Sequence, residues 1–194
     1  LLNFFQSGIP YQPFKLLGGE PTQHSKFELF IQEIIKRNLS FALITNCLYE
    51  KPEINDAIIQ SIEKNCLKGL LINSSELDRQ NRLPIFLKNF NFLYEYLDKV
   101  KRPFISCSIT ISRKKTISEE VDYLRWLFDN IRVDSLRISL DYLGNLCADK
   151  FYINNYEAGE KIYQIVKLCL EKRIPLHGDC IIYPCIFENK HQSI

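Results

Sequence analysis

Five times along this chain, a short apolar run of strand length is followed by a longer stretch with the period of an amphipathic helix, and a sixth such run closes the series. That alternation restricts the chain to an α/β fold built on a parallel sheet, because parallel strands need helix-length crossovers. The strand runs are 14–17, 40–45, 69–72, 103–112, 135–140 and 174–183. Helical stretches lie between them at 25–38, 52–65, 81–100, 116–131 and 156–172, after a first helix or helix tail at 1–9. Their inward faces are marked by apolar residues at helical spacing. These are Phe27, Phe30, Ile31, Ile34 and Ile35 in the first, and Ile54, Ile58, Ile59 and Ile62 in the second. Phe86, Phe90, Leu93 and Leu97 mark the third, and Val121, Leu124, Phe128 and Ile131 the fourth. The fifth carries Ile162, Ile165, Val166, Cys169 and Leu170. Ser25 with Glu28, and Thr116 with Glu119, have capping-box spacing. Pro84 argues for a late start of its helix.

Two strands bear on the shape of the sheet. Ser106, Ser108, Thr110 and Ser112 alternate with Ile105, Cys107, Ile109 and Ile111, and Arg137, Ser139 and Asp141 alternate with Leu136, Ile138 and Leu140. Strands sandwiched between helices are apolar on both faces. Here one face is apolar and the other carries hydroxyls and charges. A curved sheet with helices outside and a polar interior fits this pattern better than a flat doubly wound one, which means a whole or partial TIM-like barrel with ligands at the carboxyl ends of its strands. Hydroxyls bonded within a filled core are the alternative.

Composition removes several classes of function. With 194 residues and 46% apolar content the chain suits one domain with a real core. Its 25 basic and 23 acidic residues leave a net charge of +2, too balanced to argue for nucleic acid or an anionic membrane surface. No apolar run approaches membrane-spanning length, and no signal peptide is visible. Seven cysteines, an odd number among apolar neighbours, suit reduced thiols in a cytoplasm. The chain has no methionine and opens inside helical sequence, so it reads as a piece of a longer protein.

The stretch Lys15-Leu16-Leu17-Gly18-Gly19-Glu20-Pro21-Thr22 links the first strand to its helix. Two residues without side chains can take positive φ and let a ligand lie on the backbone. Pro21 cannot extend the strand as a hydrogen-bonded partner. Exposed Gly18 and Gly19 carbonyls would suit an ammonium group, and the Glu20 carboxylate adds an acceptor. The same residues also suit a tight turn with no ligand.

Gly18-Gly19-Glu20-Pro21-Thr22, after a strand and before a helix, resembles the GGEP signature of radical S-adenosylmethionine (radical SAM) enzymes. Leu43-Ile44-Thr45-Asn46 resembles the end of those enzymes' third strand, and the βα units that follow extend the likeness over most of the chain. The resemblance implies a partial (βα)6 TIM-like barrel over 1–194 with its first strand missing. It also implies S-adenosylmethionine as cofactor, its amino group held by Gly18, Gly19, Glu20 and Pro21. The family's ribose-contacting residue falls on Asn73, beside Ser74 and Ser75; Asn73 also reads as an ordinary cap or turn residue. Thr45, Ser108, Thr110, Arg137, Ser139 and Asp141 would line the substrate cavity, with Arg137 meeting an anionic substrate group. By the same resemblance an intact parent, supplied by an electron donor, would use a four-iron four-sulfur cluster to cleave the cofactor. The resulting 5′-deoxyadenosyl radical would take hydrogen from a small-molecule or peptide substrate.

One departure is large. The family holds its cluster in a CxxxCxxC loop just upstream of GGEP, and no such spacing exists among Cys47, Cys66, Cys107, Cys147, Cys169, Cys180 and Cys185. That loop and the missing strand would precede Leu1. This chain alone is therefore expected to be inactive in redox chemistry, and no catalytic residue is assigned. Cys180 and Cys185 lie in a Cys-Pro stretch resembling the one that follows the barrel in peptide-modifying members with extra clusters. Residues 174–194 would then open a C-terminal Cys-containing extension. Two thiols are too few for a closed site, so no metal is assigned within the chain. His177 and Asp179 fall on one strand face, as a solvated pair or an acid/base pair. Two rivals share the same fold: a non-redox hydrolase or lyase, and a binding module without catalysis. The native gene upstream of Leu1 separates the three.

Overall fold

The computed structural model describes residues 13–75, 77, 82–97, 102–112, 114–140 and 155–178. The chain divides into two compact units, Leu1–Ile105 and Ser106–Ile194. Every strand pairing described is parallel, and neighbouring strands follow chain order within each unit. The helix expected at 1–9 lies outside the described residues.

In the first unit, β1 (Phe14–Leu16), β2 (Phe41–Thr45) and β3 (Leu67–Asn73) alternate with α1 (Phe27–Lys36), α2 (Pro52–Glu63) and α3 (Arg82–Leu97). Phe14 registers with Phe41, and Thr45 with Ile72. Ile31 and Ile34 of α1, Ile54, Ile58 and Ile62 of α2, and Phe86, Phe90, Leu93 and Leu97 of α3 are all buried. The expected inward faces are thus the ones that pack. Three helices of the protein end alike. Asn38, Asn65 and Arg173 take positive φ of 50°, 55° and 56°. The next N–H in each case reaches back into the last turn: Leu39 to Ile34, Cys66 to Ser61, and Ile174 to Cys169. These are Schellman closures, in which asparagine is well tolerated. They stop α1 and α2 two residues before the expected ends at 38 and 65.

The helix expected from Ser25 begins instead at Phe27. Its N-cap is Lys26 with no side-chain cap, and the Ser25–Glu28 box does not form. The cause lies upstream. A short 3-10 turn at Pro21–Gln23 carries the chain through Ser25 while Phe27 N–H bonds the His24 carbonyl, leaving Ser25 too early to cap. Pro84 does not delay α3 either. It sits in the first turn, where a backbone N–H has no intrahelical partner to lose.

The second unit holds most of β4 (Phe104–Ile111), with α4 (Ile117–Asn130), β5 (Ser135–Leu140), α5 (Asn155–Lys172) and β6 (Leu176–Gly178). Cys107, Ile109 and Ile111 of β4 and Leu136, Ile138 and Leu140 of β5 are buried, whereas Thr110 is exposed and Ser108, Arg137 and Ser139 are half-buried. The two-faced character expected of these strands is therefore present. Leu170 departs from expectation at 68% exposed. The buried stripe of α5 runs through Ala158, Ile162, Ile165, Leu168 and Cys169, and Leu170 stands one helical step off it. Beyond residue 178, the rest of the strand expected at 174–183 lies outside the described residues.

Both halves of the second capping box form: Glu119 N–H donates to Thr116 Oγ1 at 3.3 Å, and Thr116 N–H to Glu119 Oε2 at 2.7 Å. Thr116→Ala is expected to lower stability by about 1 kcal/mol. Unfolding followed at Trp126, the chain's only tryptophan and a residue of α4, measures it. The hydrogen bond from the Thr116 backbone holds the Glu119 carboxyl below the usual carboxylate range. A folded pKa below the unfolded one adds stability above the unfolded value and loses it as pH falls through the folded one. The gap between wild type and Glu119→Gln should therefore narrow below about pH 4.

Candidate functional site

The carboxyl ends of β1, β2 and β3 carry the turn at Gly18 and Gly19, the pair Thr45 and Asn46, and Asn73 with Ser74 and Ser75. Gly18 has φ of 142°, where a side chain would be strained, and a Cβ added to either glycine would meet open space. Neither glycine carbonyl is taken up in a turn hydrogen bond among the described residues. A cavity of about 590 Å³ opens beside them, walled by Leu16, Leu17, Phe27 and Phe30. The turn is thus bare backbone over an apolar floor, with its oxygens available to a cation.

Glu20 does more than supply negative charge. Its Oε1 accepts from the Thr22 N–H at 3.2 Å, the Thr22 hydroxyl at 2.7 Å and the Thr45 hydroxyl at 2.6 Å. Its Oε2 accepts from the Asn46 N–H at 2.7 Å. The carboxylate therefore clasps the end of β2 to the turn after β1. Thr45, expected to line a cavity, is buried and committed to this clasp.

Beyond Asn46 the loop is tied down by buried polar groups. Cys47, buried and at φ of 57°, donates its N–H to Thr45 Oγ1 at 3.0 Å. Asn89 of α3 donates to the Cys47 and Tyr49 carbonyls at 2.9 and 2.7 Å. The Tyr49 hydroxyl donates to Asn55 Oδ1 at 2.6 Å. Burial, then the neighbouring Cys47 and Glu20, push the Tyr49 phenol far above its ordinary pKa, so it stays protonated as a donor. Sequence reasoning missed Asn89. The signal was present: one amide among the apolar residues of an inward helix face. At the end of β3, Asn73 Oδ1 accepts from the Ser75 N–H at 3.3 Å, an Asx turn that leaves Asn73 exposed at the strand end.

In the second unit, register sets Ser108 beside Arg137 and Arg137 beside His177, with Thr110 beside Ser139. Parallel neighbours in register share a face. The Thr110 and Ser139 hydroxyls meet at 3.1 Å, and Ser135 donates to Ser106 at 2.9 Å. Ser108, Thr110, Arg137 and Ser139 therefore lie on one polar face, while Asp141, Asp179, Cys180 and Cys185 lie outside the described residues. Sequence reasoning also missed Lys161, which is 1% exposed and donates to the Ser112 and Lys115 carbonyls. Burial lowers its pKa, opposed in part by Glu120, Glu157 and Glu119. It anchors α5 to the loop after β4.

The cysteines that are described do not suit a metal cluster. Cys47, Cys66, Cys107 and Cys169 are buried on different elements, and no group of three or more His, Cys, Asp or Glu converges among the described residues. Burial raises the Cys107 thiol strongly and takes Cys169 up to about 11, opposing thiolate formation. No described helix is long and apolar enough to cross a membrane.

No protein family and no curated protein matches the sequence. Solved structures of SuiB from Streptococcus suis do match the fold. One superposes with a TM-score of 0.63 at 11% identity, covering 85% of this chain and 38% of SuiB. SuiB bound to S-adenosylmethionine gives 0.62 at 11% over the same shares. SuiB bound to the precursor peptide SuiA gives 0.63 at 10%, over 85% of this chain and 37% of that one. The chain thus spans well under half the length of SuiB. At this identity the likeness is one of fold: parallel strands alternating with helices in the α/β class of the partial TIM-like barrel, shared with SuiB over most of the chain.

Proposed function

We propose that the turn at Gly18 and Gly19 binds the amino group of S-adenosylmethionine, as the cofactor-binding portion of a radical SAM enzyme. The observation that carries this reading is the turn itself, with open glycine carbonyls held in place by the Glu20 clasp. The carbonyls offer acceptors alone, which suits an ammonium group. Asn73 and Ser75, at the same end of the neighbouring strands, are the candidates for the ribose. Likeness to the GGEP signature, and a shared fold with a protein solved with this ligand, support the assignment.

The polar face of the second unit is proposed to meet substrate through Ser108, Thr110, Arg137 and Ser139. Arg137, with His177 beside it in register, would receive an anionic group. A peptide substrate is supported by SuiB's structure with its precursor peptide. The finer reading, hydrogen abstraction by a 5′-deoxyadenosyl radical in an intact parent, rests on the family resemblance. The described cysteines do not fit the iron–sulfur cluster it requires.

Calorimetric titration of S-adenosylmethionine into the chain tests the proposal. Gly18→Val should weaken binding at least about tenfold, because valine is strained at positive φ and its side chain would crowd the carbonyls. Equal affinity in the two proteins would remove the turn from the site.

A further inference from the structure

We infer that Asn89 is a positioning residue: from α3 it sets the loop after β2, and through that loop the Glu20 clasp and the turn at Gly18 and Gly19. The relevance of that turn to S-adenosylmethionine rests on the reading above, whereas the mechanical coupling does not.

Asn89 is 4% exposed and sits on the face of α3 that also buries Phe86 and Phe90. An amide nitrogen carries two hydrogens. The Asn89 amide spends them on two carbonyls of one short loop, those of Cys47 and Tyr49. The first belongs to a residue in left-handed backbone, which a cysteine holds only when its surroundings over-determine it. With the Cys47 carbonyl fixed from one side, its N–H is directed to the Thr45 hydroxyl, and that hydroxyl to Glu20 Oε1. The same loop course delivers the Asn46 N–H to Glu20 Oε2. The Tyr49 hydroxyl on Asn55 anchors the far end of the loop. A continuous series of hydrogen bonds, buried at Asn89 and Cys47 and part-buried at Glu20, thus runs from α3 to the carboxylate, although none of the described bonds of Asn89 reaches the turn. Leucine at this position would fill similar volume and leave both carbonyls without their donor.

The test is amide NMR and hydrogen exchange on the ligand-free chain, comparing wild type with Asn89→Leu, Thr45→Val and Glu20→Gln. An N–H bonded to a carboxylate resonates downfield, so the Asn46 amide reads the clasp directly. In Asn89→Leu this resonance should move toward its position in Glu20→Gln. Exchange at Asn46 and Cys47 should quicken about tenfold, while the amides of Leu43 and Ile44 in β2 and those of α4 keep their rates. Thr45→Val cuts the series without touching α3 and should move the Asn46 resonance the same way. It keeps the inference testable if Asn89→Leu fails to fold. An Asn46 amide that stays in place in either variant overturns the inference, as does uniform acceleration across the first unit, which a merely structural asparagine would give. Titration with S-adenosylmethionine then separates the two claims. If the Asn46 amide moves as expected but wild type binds no ligand, the coupling stands and the cofactor reading falls.

Discussion

Phe90→Ala lowers the stability of the first unit by about 4 kcal/mol, the range for emptying a well-packed aromatic site in a core. Phe90 is 1% exposed, and its ring centroid lies 5.7 Å from that of Phe86 and 6.0 Å from that of Tyr94. Those neighbours stand one helical turn away on either side, on the same rigid backbone, so they cannot close over the space that alanine leaves. Urea denaturation followed by hydrogen exchange at α3 amides measures the loss locally. Phe92, on the same helix but 40% exposed, is the control and should change stability by less than about 0.5 kcal/mol when truncated. A loss at Phe90 no larger than that at Phe92 would show that α3 is not packed as described.

Glu20→Ala removes the acceptor for the Thr45 hydroxyl and for the N–H groups of Thr22 and Asn46. Hydrogen bonds to a charged group contribute more than neutral ones, and a donor left buried and unmet carries its full desolvation cost. Together these amount to about 3 kcal/mol in the first unit. Thr45→Val, which deletes one of those donors but also the Oγ1 acceptor of the buried Cys47 N–H, should cost about 2 kcal/mol. Thermal unfolding of both variants checks the difference. Equal losses would mean that Glu20 contributes no more than the single bond to Thr45, and the clasp would reduce to one contact.

The periodicities were legible because they are local. Ile54, Ile58 and Ile62 lie on one face whatever the helix packs against, and the alternation of Ile109 with Thr110 follows from the pleat of any strand. Among the described residues the expected elements therefore stand where their patterns put them. The misplacements came where neighbouring residues competed: a 3-10 turn took the chain past Ser25 before it could cap, and Leu170 belonged to the next step around its helix. The glycine pair was legible for the same reason, since Gly18 at φ of 142° declares its own backbone freedom.

The chain's own pattern of periods and turns determined the α/β class, the strand that ends at the glycines and the face of β4 and β5 that is polar. Only the tertiary structure decided what the buried polar side chains do. Glu20 meets Thr45 25 positions away, Asn89 meets Cys47 across 42, and Lys161 reaches Ser112 across 49. Periodicity is a property of consecutive residues, whereas a hydrogen bond between distant ones exists only after strands and helices have packed and the surrounding water has gone.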